Sequence, residues 1–200
     1  MEEENIVIKV DFFNFITVIF ITVLTLTLFS NVYFNGGDKV FRILLTAIVV
    51  LIVRVLFKKT FLSKYTLAYI SIVIFIFMSM YMGNILNIYS VINFYDKILH
   101  FISGIISGII GFVVYEHFTK KYIDKLDLKF LIIFIFVFSV AIAGCWEIWE
   151  FSTDKIFGFH SQNNSLSDTM MDIICGTIGG IFSMIPIRLM LKKHKKDNIL

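Results

Sequence analysis

The chain alternates long apolar segments with short polar ones. The apolar segments cover residues 12–34, 40–57, 67–89, 96–118, 130–150 and 168–191. Each is close to the roughly 20 residues that a helix needs to cross the hydrocarbon core of a bilayer. Because lipid tolerates only helices and closed barrels, we predict an all-α polytopic membrane protein. The expected architecture is a six-transmembrane-helix bundle that forms a single integral membrane domain over residues 1–200.

Composition agrees with this prediction. Hydrophobic residues make up 58% of the chain, phenylalanine alone contributes 23 residues, and the mean hydropathy is +0.86. These values lie outside the range of soluble domains, so the expected surroundings are a lipid bilayer. The basic residues form short clusters between apolar segments rather than one patch, which argues against a nucleic-acid partner.

The basic clusters also predict an orientation. Most of the 18 Lys and Arg residues fall in residues 54–64, in residues 120–129, and in the tail from residue 188 onwards. All three regions lie on the same side of the predicted bundle as the N-terminus. Since positive charge marks the cytoplasmic side, both termini are expected in the cytoplasm.

This orientation places six ionisable side chains at the opposite, outer face. The fourth span begins with Asp96 and His100, the fifth ends with Glu147 and Glu150, and the sixth begins with Asp168 and Asp172. We expect the fifth helix to end at Glu150, where the helix dipole disfavours carboxylates. A cation should therefore compensate them: a metal ion, a proton, a basic side chain or a substrate.

Small residues should bring the three helices together. They share a face with the ionisable residues on each helix, and membrane helices approach closely along such faces. The predicted contact positions are Ser103, Ser107, Gly104, Gly108 and Gly111 on the fourth helix, Ser139, Ala143 and Gly144 on the fifth, and Gly176, Gly179 and Ser183 on the sixth.

Simpler interpretations exist for some of these residues. Asp96 could serve merely as a helix cap. Asp168, which follows Ser165, could merely stabilise the first turn of its helix through its negative charge. His100 could be an interior histidine, although its spacing from Asp96 puts both on one helical face. His160 is expected on the surface of an outer loop, residues 151–167, which is long enough to cover the pocket.

Intramembrane ionisable residues usually mark a functional site, and three functions compete. The first is a metal-dependent hydrolase or transferase acting on a lipid or lipid-linked substrate. Its divalent metal (Zn, Mn or Mg) would draw ligands from imidazole and carboxylate groups, and the metal would activate water. Candidate metal ligands are His100, Glu147, Glu150, Asp168 and Asp172; candidate catalytic residues are Glu147, Glu150 and Asp96, with Asp96 also orienting His100.

Two functions without this chemistry stay open. A proton- or cation-coupled transporter could use the same carboxylates as a relay. The sequence offers it few helix-breaking residues, because Pro186 is the single proline. A non-catalytic membrane protein could instead bind a cationic ligand or a partner helix in the acidic pocket.

Three segments carry a family resemblance: DKILHF from Asp96, WEIWE from Trp146, and DTMMD from Asp168. Together they resemble the YjdF-like family of bacterial inner-membrane proteins and, more distantly, VanZ-like membrane proteins. The resemblance covers about residues 95–185. It implies residence in a bacterial plasma membrane and a role for the named residues, but no substrate. The VanZ-like similarity points to the cell envelope and to glycopeptide-antibiotic susceptibility.

Overall fold

The computed structural model describes residues 2–119, 128–157, 162 and 165–197. These residues form helices and their connections, and the chain divides into two compact units, Met1–Asn93 and Phe94–Leu200. Six helical segments are long and apolar enough to cross a membrane, at Asp11–Asn35, Val40–Lys59, Thr66–Ile85, Tyr95–Thr119, Leu128–Ile156 and Leu166–Leu189. The prediction of an all-α protein with six spans is confirmed.

The first unit contains three of these spans. Helix α1 covers Glu2–Asn35 and α2 covers Val40–Lys59. A short 3-10 turn, Phe61–Lys64, leads to α3, Thr66–Ile76, which continues as a π-helix over Phe77–Ile85; a single turn, α4, follows at Ile88–Val91. Gly36 and Gly37 have φ of 63° and 81°, so the turn between α1 and α2 uses the left-handed conformation that glycine adopts without strain.

Aromatic rings and hydroxyl groups fill the interior of the first unit. The ring of Phe13 stacks on Tyr69 with centroids 4.3 Å apart and meets Phe57 edge-on at 6.1 Å. The Tyr69 hydroxyl lies 2.5 Å from the hydroxyl of Thr17 and donates to the carbonyl of Phe13. Burial therefore leaves these two hydroxyl groups hydrogen-bonded, as a low-dielectric interior requires.

The third span is shorter than the predicted 67–89. It ends at Ile85 because Asn87 adopts a left-handed conformation with φ of 59°, which asparagine tolerates better than most residues. Two cationic side chains from the start of α2 then bind the last carbonyls: Lys39 Nζ donates to Ile85, and Arg42 Nη1 donates to Asn84. Cations are stabilising at a helix C-terminus, where the dipole is negative.

The second unit contains the other three spans. Helix α5 covers Tyr95–Thr119, α6 covers Leu128–Phe157, α7 covers Leu166–Phe182, and α8 covers Met184–Asp197. Over its most apolar stretch α5 is 61% buried, against 22% for the α6 span and 33% for the α7–α8 span, so α5 is the central helix. One end of the unit is held by a cluster of buried apolar side chains from α5, α6 and α8: Phe112, Tyr115, Leu131, Ile135 and Ile187.

Helix α6 does not end at Glu150, as predicted, but continues to Phe157. The hydroxyls of Ser152 and Thr153 donate to carbonyls four residues earlier, which lets these polar residues stay helical. Glu147 and Glu150 consequently lie well before the helix end, beyond the last turn over which the dipole acts. The dipole argument for a compensating cation is therefore wrong, and the predicted loop over 151–167 is shorter than expected.

The sixth span consists of α7 and α8, which meet at Ser183. Pro186 has no N–H to donate to the carbonyl of Phe182, and α7 ends at that residue. The Ser183 hydroxyl donates to the Gly180 carbonyl at 2.6 Å, and α8 begins at Met184. Ser183 nevertheless keeps helical dihedral angles, φ −58° and ψ −22°, and the N–H groups of Ser183 and Ile187 donate to carbonyls four residues earlier. The span therefore continues through this junction with one backbone hydrogen bond missing.

Large apolar side chains cover the outward faces of the helices in both units. Exposed examples include Phe29, Phe41, Ile133 and Ile181. Apolar exposure on this scale is abnormal for a protein in water and is the surface expected in contact with lipid tails. The fold is that of a membrane protein.

Candidate functional site

Glycines set the distance between α5 and α7. A methyl group at Gly104 would overlap the backbone of Gly176 and Gly180, and one at Gly179 would overlap the carbonyl of Phe101. Backbone atoms cannot move aside as side chains can, so glycine is required at both positions. The predicted close contact between the fourth and sixth spans is confirmed.

Helix α6 packs on the same small residues from the other side. A methyl group at Gly180 would meet the side chain of Ser139, and one at Gly176 would lie 3.0 Å from the Cβ of Ala143. Gly144 differs, because nothing lies within 4 Å of the position that its Cβ would take. Gly144 is therefore not one of the packing residues, contrary to the prediction.

His100 is the centre of the ionisable residues that this packing brings together. Its side chain is buried, and its Nε2 lies 3.7 Å from Asp96 Oδ1 and 3.7 Å from Asp172 Oδ1. Its Nδ1 lies 3.8 Å from Glu147 Oε1. Helices α5, α6 and α7 thus each place one carboxylate near the same imidazole, as we predicted from the residues that share a face on each helix.

Two of these carboxylates have an oxygen without a hydrogen bond. Asp172 is 2% exposed and Glu147 is 4% exposed, yet Asp172 Oδ1 and Glu147 Oε1 have no hydrogen-bond partner among the residues that the structure describes. A buried polar atom without a partner costs roughly 1–3 kcal/mol, and more when it is charged. Both atoms face His100 at distances too long for a hydrogen bond.

Lys97 is the main residue of the site that the sequence analysis missed. Its Nζ lies 3.2 Å from Asp96 Oδ2, 2.5 Å from Asp168 Oδ1 and 2.8 Å from Asp172 Oδ2. The sequence analysis expected a compensating cation for Glu147 and Glu150, whereas Lys97 pairs with three aspartates. The signal was its position directly after Asp96, since a long flexible stem reaches both flanking helix faces.

Asp168 is positioned by the start of its own helix. The Ser165 hydroxyl accepts a hydrogen bond from the Asp168 backbone N–H and caps α7, and Asp168 lies in the first turn. Its carboxylate pairs with Lys97. The first-turn interpretation of Asp168 is confirmed. Asp96 likewise lies within the first turn of α5 rather than before it, so it is not the N-cap residue.

Glu150 points elsewhere than Glu147. Its Oε1 accepts a hydrogen bond from Trp146 Nε1 of the same helix at 2.8 Å. Across the part of the chain that the structure describes, no ion pair joins it to His100. The two glutamates share a helical face, but only Glu147 lies against the imidazole.

Gln162 donates hydrogen bonds to Glu147. Gln162 Nε2 lies 3.2 Å from both the backbone carbonyl and the Oε2 of Glu147. The backbone N–H of Gln162 donates to Asp154 Oδ2 at 3.1 Å. The sequence analysis singled out neither Gln162 nor Asp154. His160, its candidate surface histidine, lies outside the described residues.

Three residues around His100 could hold a metal ion. Asp96, His100 and Asp172 each offer a ligand atom within 4.8 Å of the other two. Bonds of about 2.0–2.2 Å to a shared metal would place such atoms roughly 3–3.5 Å apart, so the side chains would have to move closer together to bind one ion. Imidazole with two carboxylates is a donor set that Zn²⁺ and Mn²⁺ accept.

Comparison with known proteins identifies a family but no reaction or ligand. A family described as "Predicted membrane protein (DUF2238)" matches residues 14–193. An uncharacterised protein of Thermotoga maritima is 36% identical over 104 residues, which are 52% of this chain and 53% of the relative. The alignment thus spans about half the length of that curated relative, and no solved structure matches. The narrower resemblances to YjdF-like and VanZ-like proteins stay predictions. Since the family match covers most of its length, the chain belongs to the DUF2238 family of predicted membrane proteins.

Proposed function

We propose that this protein is a metal-dependent hydrolase or transferase acting on a lipid or lipid-linked substrate, with a divalent cation held by Asp96, His100 and Asp172. One observation carries the proposal: both nitrogens of one buried imidazole are faced by buried carboxylate oxygens that lack a hydrogen bond from any described residue. A metal ion on the Nε2 side would satisfy Asp172 Oδ1 and offset the cost of burying it.

The ligand number favours catalysis over a structural role. Three protein ligands leave a coordination position for water or substrate, whereas structural zinc sites are closed by four. A bound divalent metal supplies Lewis acidity and lowers the pKa of coordinated water. Imidazole in the donor set favours zinc or manganese over magnesium.

Glu147 is proposed to orient the histidine. Metal-binding histidines usually donate their second ring N–H to a carboxylate or carbonyl, and Glu147 Oε1 lies on the Nδ1 side of His100. The sequence analysis gave this role to Asp96 and made Glu147 a ligand; the distances favour the reverse. Glu150, which the sequence analysis made a ligand and a catalytic candidate, accepts a hydrogen bond from Trp146 and has no assigned role in the proposal. Asp168 pairs with Lys97 and is proposed to act through it.

The surroundings favour a lipid-like substrate. All three ligands lie on helices that span the membrane, and exposed apolar side chains border them. A substrate dissolved in the bilayer could reach the site laterally, and metal-activated water would suit an ester or phosphoester bond. In the predicted orientation, with both termini cytoplasmic, the site would face the outer leaflet of a plasma membrane.

Metal analysis of the full chain purified in detergent tests the first step. Titration with Zn²⁺, Mn²⁺ and Mg²⁺ should show one tightly bound ion per chain. His100→Ala should lower the affinity at least a hundredfold. His117→Ala, at the far end of the same helix, is the matched control and should bind like the wild type. Absence of binding to the wild-type protein would refute the proposal.

Activity is tested next with fluorescent ester and phosphoester lipids in mixed micelles. The metal-loaded protein should release product, and a chelator or His100→Ala should abolish release. A protein that binds the metal but cleaves none of these lipids would contradict the enzymatic part of the proposal while keeping the metal site.

Cation-coupled transport is the second candidate, favoured by the Lys97 ion pairs. Ion pairs within membrane spans recur in transporters. Uptake of the titrated cation into proteoliposomes, lost in Asp172→Asn, would support transport. Metal binding with neither cleavage nor uptake would leave a non-catalytic binding protein.

A further inference from the structure

Lys97 and His100 contact different oxygens of the same two aspartates. Its Nζ contacts Asp96 Oδ2 at 3.2 Å and Asp172 Oδ2 at 2.8 Å. The other oxygen of each carboxylate, Oδ1, lies 3.7 Å from His100 Nε2. In both aspartates, therefore, one oxygen is held by the lysine and the other faces the histidine.

We infer that Lys97 is a tethered cation that shares the carboxylates of Asp96 and Asp172 with the divalent ion, keeping each a one-oxygen ligand and lowering the affinity of the site. This inference rests on the proposed function. It gives Lys97 a positioning role, since its Nζ acts on the aspartates and contacts neither the imidazole nor the proposed metal position.

Acidic side chains outnumber basic ones at the cluster. Asp96, Asp168 and Asp172 all contact Lys97, and Glu147 lies on the other side of His100. Lys97 alone therefore does not balance these four carboxyl groups. The burial of Asp172 also points to a ligand here. Asp172 is 2% exposed, and its Oδ1 has no hydrogen bond within the described chain.

The consequence concerns coordination number. A carboxylate that is free to rotate can bind a metal through both oxygens and fill the position that water or substrate needs. A lysine on the second oxygen prevents this. With Lys97 in place the site keeps an open position, which catalytic metal sites require.

The expected effect on affinity has an unusual sign. Two positive groups a few ångströms apart repel each other, so removing the ammonium should tighten binding of the divalent ion roughly tenfold or more, even with strong screening. A lysine that only supported the fold would behave oppositely, because its loss would loosen the ligands and weaken binding.

Cobalt(II) provides the probe, because its visible absorption is intense at four-coordinate sites and weak at six-coordinate ones. The full chain in detergent is titrated with Co²⁺ while affinity and absorption are recorded. The variants are Lys97→Met, Lys97→Gln and Lys97→Arg. The matched control is Lys155→Met, which removes a lysine of α6 that lies over the Phe151 ring instead of in the cluster.

The inference predicts that Lys97→Met binds Co²⁺ about tenfold more tightly and with weaker visible absorption. Lys97→Arg should restore the wild-type values, and Lys155→Met should leave them unchanged. Equal or weaker binding by Lys97→Met, or an unchanged spectrum, would overturn the inference while the proposed metal site stands. If Lys97→Met does not fold, Lys97→Gln decides by the same criteria. If the wild type binds no Co²⁺ or Zn²⁺, the proposed function itself fails.

Discussion

The two units of this protein bury polar side chains in different ways. Each contains three apolar spans with some polar side chains inside. In Met1–Asn93, the interior hydroxyls of Thr17 and Tyr69 bond to each other and to a backbone carbonyl between stacked aromatic rings. In Phe94–Leu200, glycines bring the helices together, and two buried carboxylate oxygens around His100 have no hydrogen-bond partner among the described residues of this unit.

The first unit also buries a charged group, but Arg54 Nε donates to Asn14 Oδ1 at 2.8 Å and its guanidinium lies over the Phe13 ring, so this charge is held within its own unit. Neutral hydroxyls satisfied within the unit add stability and need nothing else. Charged groups held apart in a membrane interior are costly and persist when something binds them. The proposed site lies in the second unit, so substitutions in the two units should have different consequences.

The largest effect should come from the glycine contacts of the second unit. Gly104→Val would force side-chain atoms into the backbone of α7, and overpacking of this kind costs about 3 kcal/mol or more. Thermal unfolding in detergent, followed by circular dichroism, should show a large loss of stability or no folded protein.

Gly144→Val is the matched control for that substitution. It adds the same side chain where nothing lies within 4 Å, so stability should change by less than about 0.5 kcal/mol. Equal melting of the two variants would mean that α5 and α7 do not approach as described.

An intermediate effect is expected from Glu147→Gln. Removing the carboxylate on the Nδ1 side of His100 should weaken metal binding about 10–100-fold, as for other groups that orient metal-binding histidines. Isothermal titration with Zn²⁺ measures this, and Glu150→Gln, whose carboxylate binds Trp146, should change affinity much less. A larger loss in Glu150→Gln than in Glu147→Gln would reverse the assigned roles.

The smallest effect is expected in the first unit. Tyr69→Phe removes the hydroxyl that bonds to Thr17 and Phe13, and hydrogen bonds in membrane proteins contribute roughly 0.5–1 kcal/mol. Chemical unfolding should detect this loss, while the affinity for Zn²⁺ should stay at the wild-type value. A change in affinity would show that the two units are not functionally separate.

Hydropathy was sufficient to predict the six spans, and helical spacing was sufficient to place Asp96 and His100 on one face. Both depend only on positions along a helix. Convergence of three helices on His100 also followed, because the glycines that permit close approach lie on the faces that carry the acids.

Details that depend on side-chain direction were not predictable. Lys97 lies off the Asp96–His100 face by one residue, yet its long side chain reaches three aspartates. Glu150 shares a face with Glu147 but bonds to Trp146 instead. Helix α6 passes Glu150 because Ser152 and Thr153 bond to their own helix, which apolar periodicity does not report.

X-ray absorption at the zinc edge is the most direct test of the metal site. The zinc-loaded protein should show imidazole scattering together with oxygen neighbours at about 2.0–2.2 Å, and the imidazole signal should vanish in His100→Ala. Zinc that is not retained, or that shows no imidazole neighbour in the wild type, would contradict the assignment of His100 and its aspartates as the site.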